Sequence, residues 1–205
     1  MNTIEKLIQI FAQFPGIGPR QARRFVYFLL TRNNGAIEEL SKNLLELKKD
    51  VVMCEDCMRF FQKKGGQSSL CSICADQTRD QTTLMLVQRD VDLESVEKNG
   101  GFRGIYFVLG GSVPILEKEP EKKIRINELK IFVNKKIKAG LKEIILGVNW
   151  NPEGENTANF VTKVLNTECL TKEIKMTHLG KGLSMGSELE YTDSDTLKNA
   201  LKNRQ

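Results

Sequence analysis

Apolar residues in the first third of the chain recur at helical spacing, whereas in the rest they fall in short unbroken runs. Within residues 3–13, Ile4, Leu7, Ile8, Ile10 and Phe11 lie close to one stripe, which predicts a helix with Thr3 as its N-cap. A second helix is predicted from Arg20 to Leu30, with Ala22, Phe25, Val26, Phe28, Leu29 and Leu30 as its apolar set. A third, over residues 36–49, carries Ile37, Leu40, Leu44, Leu45 and Leu47. After residue 78 the period changes. Thr83–Val87, Arg103–Leu109, Glu143–Val148 and Glu173–Thr177 read as short buried strands. Helices are predicted between them over Val91–Lys98, Ile126–Ala139 and Glu155–Leu165, and Asp195–Lys202 reads as a last short helix. Strands alternating with helices predict a mostly parallel sheet covered by helices on both faces. The C-terminal ends of such strands form the usual ligand crevice.

Between the helical and the α/β parts lie two Cys-x-x-Cys pairs, Cys54/Cys57 and Cys71/Cys74, separated by 13 residues. Each pair can supply two thiolates to one side of a tetrahedron, and Zn²⁺ favours four such ligands. Lys63-Lys64-Gly65-Gly66 reads as the turn of a hairpin between them. Glu55, Asp56 and Asp76 are close in sequence, but the thiolates are softer and already correctly spaced. The alternatives are two disulfides or four unrelated thiols. The opening stretch does not read as a secretory signal, and a reducing compartment disfavours disulfides. One structural Zn²⁺ held by Cys54, Cys57, Cys71 and Cys74 is therefore expected, with no open position for chemistry. The fifth cysteine, Cys169, is expected to be a small buried hydrophobe.

Composition narrows the class. Hydrophobic residues make up 40% and charged residues 28%, as in ordinary soluble domains. No apolar run approaches the roughly 20 residues that span a bilayer, so a cytoplasmic protein without membrane contact is expected. The net charge of +5 is mild. Residues 1–50 hold eight Lys/Arg against five Asp/Glu. Such a balance points to a polyanion partner only where it is clustered.

It is clustered around one turn. Phe14-Pro15-Gly16-Ile17-Gly18-Pro19 joins the first two predicted helices, and Arg20, Arg23 and Arg24 follow. This is the pattern of a helix-hairpin-helix. Gly16 and Gly18 let the backbone approach a phosphate, and the N–H groups that open the second helix point at it. The arginines add cationic contacts that carry no sequence information. The alternative is a plain helical hairpin with solvated arginines.

The α/β part lacks the groups for metal-dependent phosphoryl transfer, which needs clustered carboxylates at strand ends. The first strand runs into Gln88 and the third into Asn149 and Asn151. Glu153 and Glu155 follow on the opening turn of a helix, where a capping or dipole role suffices. The lone His178 follows a strand. Val108-Leu109-Gly110-Gly111-Ser112 is an incomplete dinucleotide fingerprint, and no P-loop occurs. A non-enzymatic protein is expected.

Taken in order, these features resemble the RecR family of bacterial recombination mediators over essentially the whole chain. Phe14 to Arg24 resembles its helix-hairpin-helix, the four cysteines resemble its zinc finger, and residues 79–177 resemble its Toprim domain. The closest Toprim strings are Phe102 to Gly111 and Glu153-Gly-Glu155. Gly182 to Asp193 is similar to the family's C-terminal, Walker-B-like segment. The resemblance implies a multidomain α and α/β protein: residues 1–53 as the DNA-binding hairpin region, 54–78 as the zinc finger, 79–177 as the Toprim domain and 178–205 as the C-terminal segment and helix. It implies a homotetrameric ring that binds single- and double-stranded DNA and acts with RecO, and in many bacteria RecF. Together they would place RecA on gapped or protein-coated DNA during repair of DNA damage, at the nucleoid. The family's DNA contacts map onto Arg20 and Arg24, with Arg23 added. Catalytic Toprim enzymes carry a Glu and an Asp-x-Asp pair, and Gln88, Asn149 and Asn151 stand in those places. Gln88 departs further than many RecR sequences, which keep a Glu there. Glu153 and Glu155 then become candidates for the partner surface. The competing readings are a Mg²⁺-dependent Toprim-type nuclease or primase using Glu153 and Glu155, and a zinc-stabilised interaction module without DNA affinity.

Overall fold

The computed structural model describes residues 1–63, 69–180, 190, 192 and 194–202. The chain divides into two compact units, Met1–Val52 and Met53–Gln205. The turn expected at Lys64-Gly65-Gly66 and most of the segment Gly182 to Asp193 lie outside the described residues.

The first unit is helical: α1 (Thr3–Phe11), α2 (Pro19–Leu30) and α3 (Asn34–Asp50). The N-cap of α1 is Asn2, not Thr3. Its side chain accepts from the Glu5 N–H at 2.9 Å, while Glu5 accepts from the Asn2 N–H at 3.1 Å, a reciprocal capping box. Asn33 caps α3 in the same way, accepting from the Ala36 N–H. Phe11 makes edge-to-face contacts with Phe14 and Phe25. Of the apolar set of α2, only Ala22 and Val26 are buried. Phe28 and Leu30 are exposed, as are Leu40, Leu44, Leu45 and Leu47 of α3. The helical period is therefore as expected, but the face it defines is largely uncovered.

The second unit is built on a four-stranded, wholly parallel sheet in the order β4-β3-β5-β6, from β3 (Thr83–Val87), β4 (Ile105–Val108), β5 (Glu143–Gly147) and β6 (Lys175–His178). Helices α5 (Asp90–Asn99), α6 (Ile126–Lys138) and α7 (Pro152–Thr171) connect the strands. Alternation along β3 and β4 sends successive side chains to opposite faces. Leu84, Leu86, Ile105 and Phe107 face Leu129, Phe132 and Val133 of α6 and Val161 and Leu165 of α7. Met85, Val87, Tyr106 and Val108 face Leu93 of α5 and the cysteine segment. Helices were expected on both faces; here the second layer is one helix plus the cysteine segment. Cys169 is buried in the first of these clusters, as expected. Helix α7 runs six residues past the expected Leu165, and His178 sits within β6 opposite Leu146. Short strands β1 (Val51–Met53) and β2 (Phe60–Gln62) flank the first cysteine pair, α4 (Ser72–Ala75) carries the second, and α8 (Ser194–Lys202) ends the described chain. Among the described residues, no helix is long and apolar enough to cross a membrane.

Candidate metal centre and nucleic-acid interface

The four cysteines converge. Cys54, Cys57 and Cys71 are buried and Cys74 is half-buried, with all four Sγ atoms within 4.8 Å of one another. Cys57 and Cys71 Sγ are 3.6 Å apart. A tetrahedron with Zn–S bonds of about 2.3 Å has edges of about 3.8 Å, so the cage fits that ion. The same separation is far from the roughly 2.05 Å of a disulfide, and none of the four cage cysteines forms one. Local backbone makes the cage. The Cys54 N–H donates to Arg59 C=O at 2.8 Å, the Met58 N–H to Cys54 C=O at 3.1 Å, and the Cys71 N–H to Cys54 Sγ at 3.4 Å. Met58 closes this turn with φ +60°, the left-handed region. Four crowded sulfurs cannot all ionise without a cation among them. The hydrogen bond from Cys57 holds the Cys54 thiol well below its usual range, and the same bond pushes Cys57 well above it.

The cage is bound into the sheet unit. The Val108 N–H donates to Cys57 C=O at 2.8 Å. Arg125, at the start of α6, donates through Nη1 to Met58 C=O at 2.7 Å and to Val108 C=O at 3.2 Å. The Phe60 N–H donates to Asp90 Oδ1 at 2.7 Å, and Lys135 Nζ lies 2.6 Å from Asp56. Sequence reasoning missed Arg125. In the sequence it is one of several cations between Lys118 and Lys130, and nothing there identifies its partner.

In the helical unit, Gly16 has φ +76°, so the hairpin needs a residue without a Cβ penalty there. Gly18 is the N-cap of α2 and has no side-chain cap, and Pro19 at N1 has no N–H. Nothing lies within 4 Å of where a Cβ would be at Gly16 or Gly18, so the backbone is open to an approaching group. Arg20, Arg23 and Arg24 are all exposed on the first turns of α2, and Arg24 Nη1 donates to Gln21 Oε1 at 3.3 Å. They line one open groove with Tyr27 and Phe28. The Arg32 guanidinium lies over the Phe28 ring, 4.1 Å from its centroid. Sequence reasoning did not single out Tyr27 and read Phe28 only as part of the apolar set of α2. The signal was their spacing of seven and eight residues from Arg20, which puts them on the arginine face rather than the Ala22/Val26 face.

The strand ends hold amides in structural roles. Gln88 is buried, and its side-chain carbonyl accepts from the Asn149 N–H at 3.2 Å, tying β3 to β5. Asn151 caps α7, accepting from the Gly154 N–H at 2.7 Å. A Cβ at Gly154 would lie 2.0 Å from Asn149 C=O, so this turn admits only glycine. Glu153 and Glu155 lie on the first turn of α7. Among the described residues the cysteines form the one cluster of metal-ligating groups, so Glu153 and Glu155 are not part of a carboxylate cage.

Comparison with known proteins follows the same divisions. Residues 4–48 match the family described as "RecR, helix-hairpin-helix", residues 82–179 "Toprim domain", and residues 182–205 "RecR, C-terminal". The chain is 35% identical over 201 residues to the recombination protein RecR of Lactobacillus helveticus, covering 98% of this chain and 96% of that one. It is 34% identical over 206 residues to that of Rickettsia prowazekii, covering 100% and 96%. The RecR of Lactococcus lactis is 32% identical over 201 residues, covering 98% and 96%.

Proposed function

Because this chain belongs to the RecR family, we propose that it is a recombination mediator in DNA repair, a non-enzymatic clamp on DNA. The observation that carries this reading is the α2 groove. Three exposed arginines and two exposed aromatic rings line it, and the glycine backbone that leads into α2 is open. Arg20, Arg23 and Arg24, with the backbone at Gly16 and Gly18, contact phosphates of single- or double-stranded DNA without reading sequence. The cysteine cage holds one Zn²⁺, which supplies folding energy and no chemistry.

The chain acts as a homotetrameric ring. The exposed leucines of α3 support self-association, since an uncovered apolar stripe of this size marks an interaction surface. Several subunits, each giving a few arginines to one lumen, multiply weak contacts through effective concentration. Glu153 and Glu155, at the C-terminal edge of the sheet, present carboxylates to RecO, and the ring with RecO and RecF loads RecA onto DNA coated by single-strand-binding protein. Its place is the cytoplasm, at the nucleoid. The domain limits that fit this reading are 1–53, 54–78, 79–177 and 178–205. The Toprim-type nuclease reading is disfavoured by its donor set, because Gln88, Asn149 and Asn151 offer amides where a hard dication needs charge.

The test is RecA nucleation on gapped DNA coated with single-strand-binding protein. Adding this chain together with RecO should shorten the lag, and Glu153→Gln/Glu155→Gln should restore it. A lag that the chain never alters contradicts the reading. Mg²⁺-dependent cleavage of DNA that Glu153→Gln abolishes would instead establish the nuclease.

A further inference from the structure

The exposed face of α6 is basic in a way its helix does not require. Between residues 130 and 142 the sequence holds Lys130, Lys135, Lys136, Lys138 and Lys142 and no acidic residue. Positive charge in the last turn complements the helix dipole, which accounts for Lys135, Lys136 and Lys138. Dipole complementarity accounts neither for Lys130, two turns earlier, nor for Lys142, beyond the helix end. Surface helices ordinarily interleave both signs. Helix α3 does so, with Glu38, Glu39, Lys42, Glu46, Lys48 and Lys49.

Only part of this charge is engaged. Lys136 donates to Gln81 Oε1 at 3.0 Å and packs over Phe132. Lys135 reaches Asp56, but its side chain is 61% exposed, so this surface pair is weak and exchangeable. Lys142 is exposed; the acid it faces, Asp80, is already bound by Thr82. Ile131, Asn134, Lys135, Lys138 and Ala139 line an open groove along the helix. Ile131, the first of these along the helix, is 72% exposed.

We infer that this α6 face is a second nucleic-acid contact, taking the sugar–phosphate backbone through Lys135 and Lys138 with Asn134 as an added donor, and extended past the helix end by the exposed Lys142. Two features favour nucleic acid over a protein partner. A protein interface buries roughly 800 Å² per side around apolar anchors, and this groove offers a single large aliphatic side chain, Ile131, beside the small Ala139. A phosphate backbone needs only cations and amide donors, and Ile131 can pack against deoxyribose. Three residues from Lys135 to Lys138 rise about 4.5 Å, and the face spans several charges at one per about 1.7 Å of duplex axis. The inference rests on the DNA-binding reading above and adds a contact surface to it.

The test is the salt dependence of binding to a fluorescein-labelled oligothymidylate, measured by anisotropy on the full zinc-loaded chain. For Lys135→Gln/Lys138→Gln/Lys142→Gln, the slope of log K against log salt should become shallower by about 2, at about 0.7 per phosphate contact on single strands. Lys138→Glu alone should weaken binding at low salt. Lys138→Gln/Lys142→Gln should keep the zinc content and melting temperature of the unsubstituted chain; Lys135→Gln also breaks the Asp56 contact, and Asp56→Asn, which breaks it with the lysine kept, sets its share of any change. An unchanged slope, with binding still lost in Arg20→Ala/Arg24→Ala, overturns the second surface and leaves the hairpin reading standing. If polyglutamate displaces the oligonucleotide charge for charge, and loses that ability in the triple variant, the face belongs to an acidic protein and the inference falls. If the unsubstituted chain shows no binding at low salt, both readings fall together.

Discussion

Arg125 is the side chain whose loss should separate the metal centre from the sheet most cleanly. It is partly buried, and one nitrogen donates to both Met58 C=O and Val108 C=O. The first carbonyl lies one residue after Cys57, and the second ends β4. Arg125→Met keeps most of the side-chain volume and removes both bonds. Hydrogen bonds from a charged donor contribute about 1.5–3 kcal/mol each. The longer of the two, at 3.2 Å, belongs at the low end, and the cation over Phe60 at 5.7 Å adds little. The expected cost is about 3–4.5 kcal/mol, with two carbonyls left to find water. For a unit of this size that lowers the melting temperature by roughly 6–18 °C. The more specific signature is kinetic. Since Arg125 holds the turn that carries Cys57, zinc should be released to a chelator faster, by at least about tenfold per 1.4 kcal/mol localised there. The assay is zinc release followed with a colorimetric chelator, alongside thermal unfolding. A melting point within about 1 °C of the original, together with unchanged zinc release, would refute the reasoning.

Further expectations concern other parts of the chain. Cys57→Ser should abolish stoichiometric zinc binding and cost several kcal/mol, because metal binding in such modules is folding free energy; native mass spectrometry with a melting curve checks this. Gly154→Ala should destabilise by at least about 3 kcal/mol, because its Cβ would meet backbone that cannot move away cheaply. Gly16→Ala should cost only about 1–2 kcal/mol, since the penalty is conformational and the space is open. Glu97 gives a pH signature. Burial raises its pKa, but the two bonds from Arg79 outweigh burial and leave it lowered. A lowered carboxyl pKa in the folded state contributes stability above the unfolded value, about 4.3, and loses it as pH falls through the folded value. Glu97→Gln should therefore flatten the stability profile below about pH 4.3, read by urea unfolding at a series of pH values.

The sheet was legible because β3 and β4 are buried on both faces and so read as unbroken apolar runs such as Leu84-Met85-Leu86-Val87. The order β4-β3-β5-β6 was not, since a run of apolar residues carries no record of its neighbour. The cysteine cage was legible from spacing alone. That it packs against Met85, Val87, Tyr106 and Val108 as part of the second layer was not, because this depends on contacts across the chain. Asn2 as the cap of α1 could have been read from Glu5 three residues on; Thr3 was an equally polar neighbour. The apolar stripes of α2 and α3 were legible as stripes, but their exposure was not, since a period shows which face is apolar and not what covers it. Arg20, Arg23 and Arg24 were visible from the hairpin pattern, whereas Tyr27 and Phe28 joined them only once the helix phase was known.

The central claim is that the α2 hairpin holds DNA by its backbone. It is tested most directly by anisotropy titration of a labelled oligonucleotide at low salt, comparing the zinc-loaded chain with Arg20→Ala/Arg24→Ala. If the hairpin holds DNA, the double variant loses at least about tenfold in affinity, its salt slope is shallower by about 1.4 on single strands for two lost phosphate contacts, and its melting temperature is unchanged. Equal affinity and an equal slope in a folded double variant would contradict it.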